Sequence, residues 1–386
     1  MSALRESTSR KIEFADFIQL GDILEIRRAR LPSDRVRLFG DSLEIRGPNG
    51  SERRVTLAPE RRGPNDCRIV TPSGIQPFHF SGAGRWADFD EIREALGREA
   101  REASGFSRDV VFAPLKIVIT DQGRNQPVRA VLTHDPVYPQ RGRLARLLPG
   151  QTLWMTYAAL GLLNSAIGQA LYQDLMDQHA DQTSSSDDRA IDALTGLPLA
   201  PRRYDRVELE RVSHLVFQVS TLYEARSEPR RPHLRSWIEA AIKPVRELLL
   251  VRLLCLLSLE KSEERRLLRS VEALLDGGDR TVESVIAAPR EFPTHDPLWL
   301  LDKNYRTRYK FLTGRILNGS ASSTERNEYE DLKWLKYWEE TALAPLPEIP
   351  PEESPSHQSQ YPLRGKLITY VDPEEPVALH DWEALQ

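Results

Sequence analysis

Residues 109–172 constrain the fold of this chain more than any other stretch: DVVFAPLKIVITDQGRNQPVRAVLTHDPVYPQRGRLARLLPGQTLWMTYAALGLLNSAIGQALY. A run rich in β-branched residues, 110–119, predicts a strand. It leads into a Gly123-Arg-Asn125 turn, a second strand over 127–132, a basic loop, and a strongly apolar helix carrying Leu163-Asn-Ser165. The predicted unit is strand, turn, strand, helix.

The chain before this unit reads as β structure. Residues 14–28 hold a short apolar segment, a Gly21-Asp22 turn and an alternating strand over 23–27. Short turn-bounded runs at 42–47, 53–59, 67–72 and 75–80 continue the pattern, which predicts a twisted, mainly antiparallel sheet. Residues 86–103 pair Glu and Arg at helical spacing and predict a solvated amphipathic helix. The polar interval 174–189 reads as a loop. Residues 197–201 read as an extended proline-bounded segment before a helix over 205–226, whose predicted apolar face is Val207, Leu209, Val212, Leu215, Val216, Val219 and Leu222.

From residue 232 the character is helical, with segments at 234–259, 261–275, 280–288 and 325–343. Ser322 and Glu325 have the spacing of a capping box. Tyr329, Leu332, Trp334, Leu335 and Trp338 give the last helix an aromatic-rich face, a pattern that belongs to a core or a docking surface. Residues 344–362 form a proline-rich linker, and 363–371 read as a terminal strand. The expected fold class is α+β, a twisted mainly antiparallel sheet with flanking helices followed by an α-helical module. Expected domains are 14–231, 232–344 and 345–386.

Charge divides the chain unevenly. Residues 1–150 carry 25 Lys and Arg against 20 Asp and Glu, although the whole has a net charge of −4. A nucleic-acid face needs only a local cluster of cations, because phosphate neutralisation acts within a Debye length of ~8–10 Å. Two distant cysteines and no apolar leader place the chain in the cytosol. Residues 245–259 are apolar but interrupted by Arg246, Glu247 and Arg252, which argues for a buried helix and no membrane partner.

Catalytic patterns are absent. No glycine-rich phosphate loop, paired Cys/His spacing or Gly-x-Ser-x-Gly elbow occurs, so no cofactor and no metal is expected. His134-Asp135, Ser165 and Ser213-His214 read as incidental or structural. Asp109 with Lys116, or Asp121 with a later lysine, can be fitted to a nuclease-like Asp…Glu-x-Lys pattern, though the middle carboxylate is not at its usual spacing.

The order of parts from residue 14 to 228 resembles the TaqI-like C-terminal specificity domain, the target-recognition domain of adenine-specific DNA methyltransferases and related restriction–modification enzymes. The matching pieces are Leu20-Gly-Asp-Ile-Leu-Glu-Ile-Arg27, Ser73-Gly-Ile-Gln-Pro-Phe78, Ala113-Pro-Leu-Lys116, Gly123-Arg-Asn125, Leu162-Leu-Asn-Ser165 and Leu197-Pro-Leu199. In the methyltransferases this domain follows an S-adenosylmethionine-binding domain with an Asp/Asn-Pro-Pro-aromatic motif. Here Asp135-Pro-Val-Tyr138 and Asp296-Pro-Leu-Trp299 each lack the second proline, so methyl transfer by this chain is not expected.

The resemblance implies a DNA-recognition (specificity) subunit of a restriction–modification or phage-defence system, with duplex DNA and a methyltransferase or nuclease subunit as partners. Lys116, Arg124, Asn125, Arg129, Arg141, Arg143 and Arg146 are the expected DNA-contacting residues. The arginines can reach phosphates or a guanine edge, and Asn125 can cap its turn or contact adenine. Asn164-Ser165 is expected to satisfy buried polar groups. By analogy with specificity subunits, helix 325–343 or strand 363–371 would dock the partner. Two other readings stay open: a divergent metal-dependent nuclease, and an interaction scaffold that has lost DNA binding.

Overall fold

The computed structural model describes residues 14, 16–32, 34–81, 84–120, 128–179, 185–227, 232–270, 272, 281–287, 303–344 and 346. The described part is a mixed α+β fold with twisted sheets and flanking helices. In chain order the first elements are β1 (Phe17–Gln19), α1 (Leu20–Ile23), β2 (Leu24–Arg30), β3 (Val36–Phe39), β4 (Ser42–Arg46), β5 (Glu52–Thr56), β6 (Asp66–Val70), β7 (Ile75–Gln76), β8 (His79–Phe80) and β9 (Arg85–Asp88). They are followed by α2 (Phe89–Ser104), α3 (Arg108–Val111), β10 (Lys116–Thr120), β11 (Ala130–Thr133), β12 (Val137–Pro139) and β13 (Arg141–Leu147). The helical part is α4 (Leu153–Leu163), α5 (Ala166–Gln178), α6 (Ser186–Thr195), β14 (Pro198–Pro201), α7 (Arg206–Ser227), α8 (Pro232–Leu257), α9 (Lys261–Ser270), α10 (Val282–Ile286), α11 (Lys303–Leu317) and α12 (Ser323–Leu343).

A four-stranded antiparallel sheet in the order β11-β10-β13-β2 lies between two apolar cores. Strand alternation explains the division. Ile117, Ile119, Ala130, Ala145 and Leu24 face the larger core with the helices. Val118, Val131, Leu144 and Ala29 face a smaller one with β3–β6, β9 and α2. A sheet covered on both faces reads as a continuous apolar run, and Lys116–Thr120 is buried at every position.

The larger core also explains α4. Residues 155–163 of that helix are all buried, so it needs no polar face. It crosses α7 at Gly161, where a Cβ would run into the Val216 side chain. Between α4 and α5, Ser165 caps α5 through a bond from the Gly168 amide, 2.9 Å. Asn164 acts like a short strand laid against β11. Its Oδ1 accepts from the Ala130 amide, and its Nδ2 donates to the Ala130 carbonyl, both at 2.9 Å. Nearby, Gln169 Oε1 accepts from the Val128 amide at 2.7 Å. The Leu-Asn-Ser motif therefore joins the helical layer to the sheet edge.

Several local expectations change. The Gly21-Asp22 turn is a helical turn, closed by a bond from the Gln19 amide to Asp22 at 2.9 Å. The strand expected over 110–119 starts only at Lys116, with α3 before it, because Pro114 has no amide to give a ladder. Residues 86–88 belong to β9, and the helix after them is kinked at Gly97. The polar interval 174–189 is not one loop, since α5 runs to Gln178 and α6 begins at Ser186 under a Ser185 cap. Val207, expected on the apolar face of α7, is exposed. Helix α11 went unread in the sequence, while the Ser322–Glu325 capping box is present in both directions.

The boundary expected at 231/232 falls inside one compact unit that ends at Leu346. Ile238, Leu249 and Leu253 of α8, Leu268 of α9 and Leu335 of α12 belong to the same apolar cluster as Leu24 and Ile117. Residues 347–386 form a second unit, and the predicted strand 363–371 lies there, outside the described residues.

Replacing Asn164 by Leu should remove both bonds to Ala130, leaving the carbonyl its bond from the Phe78 amide but the buried amide without its acceptor, at a cost of about 1–3 kcal/mol in chemical denaturation. Asn164→Asp, which keeps only the acceptor, should lose less.

Candidate nucleic-acid interface

Of the basic residues predicted from sequence, Lys116, Arg141, Arg143 and Arg146 fall on the four-stranded sheet, and the two-residue period sorts them into clusters on opposite faces at opposite ends. On the smaller-core side, register sets Lys116 beside Arg146 and Arg146 beside Glu25. Glu25 binds Arg146 and, at 2.6 Å, Arg27 Nε. Those two arginines hold the Glu25 carboxyl below its usual range, against the burial that would raise it. Arg27 Nη1 also reaches Asp109 at 3.1 Å. A hydrogen bond from Ser107, together with the Arg27 charge, keeps the Asp109 carboxyl ionised below its ordinary value.

Lys116 does not present its ammonium as a surface cation. It is 1 % exposed and donates to the Ala113 carbonyl at 3.0 Å. Burial pushes its pKa down to about 8, with Asp135 only partly opposing the shift. Its parity explains this, since it shares a face with Val118 and that face is covered by the smaller core.

On the larger-core side, Arg28 and Arg30 of β2 stand directly opposite Arg143 and Arg141 of β13. Arg143, expected to contact DNA, is only 3 % exposed. Its neighbour is the first turn of α6. Asp187 lies 2.7 Å from Arg30 Nη1, 3.5 Å from Arg28 Nη2 and 3.9 Å from Arg143 Nη2, and Asp188 lies 3.2 Å from Arg28. Arg141 is exposed at the start of its strand.

Of the remaining expected residues, Arg129 is half-buried and donates to Gln76 Oε1 at 3.2 Å. Arg146 is partly exposed on its Glu25 partner. Arg124 and Asn125, with the other nuclease carboxylate Asp121, lie outside the described residues. The sheet thus brings Arg141 and Arg143 together in one cluster and Lys116 and Arg146 in another. Sequence reading missed Arg27, Arg28, Arg30 and Asp187. The IRRAR run of β2 was a visible signal, whereas the pairing with α6 spans 160 positions and left none.

Other chemistry-bearing residues serve the scaffold. Ser213 is fully buried, its Oγ 2.6 Å from the Trp154 carbonyl, and His214 packs edge-on against Trp154. His134 Nδ1 lies 2.8 Å from the Pro114 carbonyl. Burial raises the Cys67 thiol to about 12. Among the described residues, no group of three His, Cys, Asp or Glu side chains could hold a metal ion, and no helix is long and apolar enough to cross a membrane. No protein-family model matches the chain, and no curated protein matches it in sequence.

The Lys116 environment has a pH signature. Between about pH 8 and 10.5 the unfolded chain holds this proton more than the folded one does, so wild-type stability should gain with pH across that window. Below pH 8 the full cost of the buried charge is present. Lys116→Met should therefore be more stable than wild type at pH 7, by on the order of 1–3 kcal/mol. Denaturant melts at several pH values should show that advantage shrinking toward pH 10.5; a constant difference would count against a charged Lys116 at neutral pH.

Proposed function

We propose that this chain is a non-catalytic DNA-recognition subunit or accessory protein of a restriction–modification or phage-defence system, binding duplex DNA and recruiting a catalytic partner. The observation that carries this reading is the arginine-bearing pair of adjacent strands. β2 and β13 place Arg27, Arg28, Arg30, Arg141, Arg143 and Arg146 on one side of the sheet order, and β2 is an edge strand. Arg27, Arg30 and Arg146 keep about two-fifths of their side chains exposed, and Arg141 is exposed as well. These four can reach phosphate oxygens without unfolding the sheet, and phosphate contacts position a protein on duplex DNA. They replace Lys116 and Arg143 as first-line contacts.

Partner recruitment would use surfaces other than the aromatic stripe of α12, because Leu332, Leu335 and Trp338 are buried and belong to the larger core. The ion pairs to Glu25, Asp109 and Asp187 favour the second reading, a scaffold that has lost DNA binding, since they give most of these arginines internal partners. The nuclease reading gains nothing from Asp109, which is held by Arg27 and Ser107.

Fluorescence anisotropy with a short duplex decides between the first two. Arg30 and Arg141, the exposed pair on the larger-core face, predict a log–log salt slope of roughly −2. The double variant Arg30→Glu/Arg141→Glu should weaken binding at least tenfold at low salt, with its melting curve intact. A wild-type chain that fails to bind duplex DNA at low salt, alone and with a co-purified partner, would return the protein to the scaffold reading.

A further inference from the structure

The charge arrangement at the α6 end of the sheet is costly unless an anion sits in it. Like charges in directly opposed cross-strand positions destabilise a sheet, and here Arg28 faces Arg143 while Arg30 faces Arg141. Among the described residues, Asp187 and Asp188 are the carboxylates paired with this cluster, through Arg28, Arg30 and Arg143. Asp187 takes the central place: one oxygen receives Arg30 and Arg28, and the other faces Arg143. Arg143 closes the back of the cluster, while Arg141, Arg30 and the half-exposed Asp188 lie toward solvent.

α6 has anchors besides those charges. Ala190, Ala193 and Leu194 bury its inner face, Leu194 within the larger core, and the Ser185 hydroxyl caps its first turn.

We propose that Arg28, Arg30, Arg141 and Arg143 form a phosphodiester-binding subsite, whose anion position is held by the Asp187 carboxylate until a DNA phosphate displaces it. The site rests on the DNA-binding reading above and adds to it a specific oxyanion cradle with a built-in competitor. The chemistry fits a phosphodiester. Guanidinium groups donate in planar forks suited to oxyanions, and two non-bridging phosphate oxygens can take the donors that now converge on Asp187. Displacing a carboxylate costs affinity, so the wild-type chain binds more weakly than its arginine count suggests.

The test uses the full chain and a short random-sequence duplex, with wild type, Asp187→Asn, Asp188→Asn and Arg30→Glu compared by anisotropy over a salt series. Thermal melts run in parallel. Removing the competing charge at Asp187 should tighten binding by roughly three- to tenfold at low salt and steepen the salt dependence, with a smaller gain for Asp188→Asn and a loss for Arg30→Glu. Should Asp187→Asn melt too early to measure, the more exposed Asp188→Asn decides by the direction of its change. If wild type binds duplex DNA but the aspartate variants bind it equally or less well, the carboxylates are only structural and the subsite is overturned while the DNA reading stands. If neither wild type nor the aspartate variants bind, both fall. Binding by the variants alone would support the subsite and show the wild-type cradle closed.

Discussion

The rest of the structure depends on the burial of one four-stranded sheet on both faces. Once Ile117 and Ile119 point into one core and Val118 into another, a polar group on β10 must find a partner inside the protein. Lys116 finds the Ala113 carbonyl, and the open amide and carbonyl of Ala130 find Asn164. Charge with access to solvent is pushed to β13 and the edge strand β2. Seven of the 25 cations of the first 150 residues thus fall into two clusters at opposite ends of the sheet.

Those clusters differ in how tightly they are neutralised. On the smaller-core side, Glu25 draws in Arg27 and Arg146, and Asp109 takes Arg27 as well. On the other side three arginines, Arg28, Arg30 and Arg143, share two aspartates from a helix that enters from far along the chain. The exposed pairs among them contribute little to stability, typically under about 1 kcal/mol each, whereas Arg143 and Asp187 meet out of solvent. Their arrangement therefore matters more for what the surface can bind than for whether the protein folds.

Much of this was legible in the sequence, and the failures have identifiable causes. The apolar run before residue 120, the unbroken apolar helix after residue 153 and the Ser322–Glu325 box each carry a local rule, and each became the expected kind of element. Asn164 and Ser165 sat on an apolar helix, which already argued for a structural role. The site residues were harder because exposure of an arginine is not local. Lys116 lay in a run apolar enough to mean cover on both faces, so its burial was readable from parity. Arg143 alternates with Ala145 in the same way, but its fate depended on Asp187, which no short-range pattern connects to it.

The expected boundary at residue 232 shows the same limit on a larger scale. Composition does change there, because α8 is rich in leucine. Leucines at that density need a partner face, and Leu249, Leu253, Leu254 and Leu257 find it in the core that also holds Leu215, Val216 and Val219 of α7. The contact is fastened by Arg252, buried and bound at 2.9 Å to Glu208 of α7. An unpaired charge at such a site costs several kcal/mol, so the two helices are held to one relative position by chemistry as well as by packing. Through α4, which packs on α7 and carries its load to Asn164 and the sheet edge, that constraint reaches the strands that bear the arginines. The helical half is therefore part of the frame that positions the basic surface, and a fragment cut at the compositional change would expose the apolar face on which that frame is built.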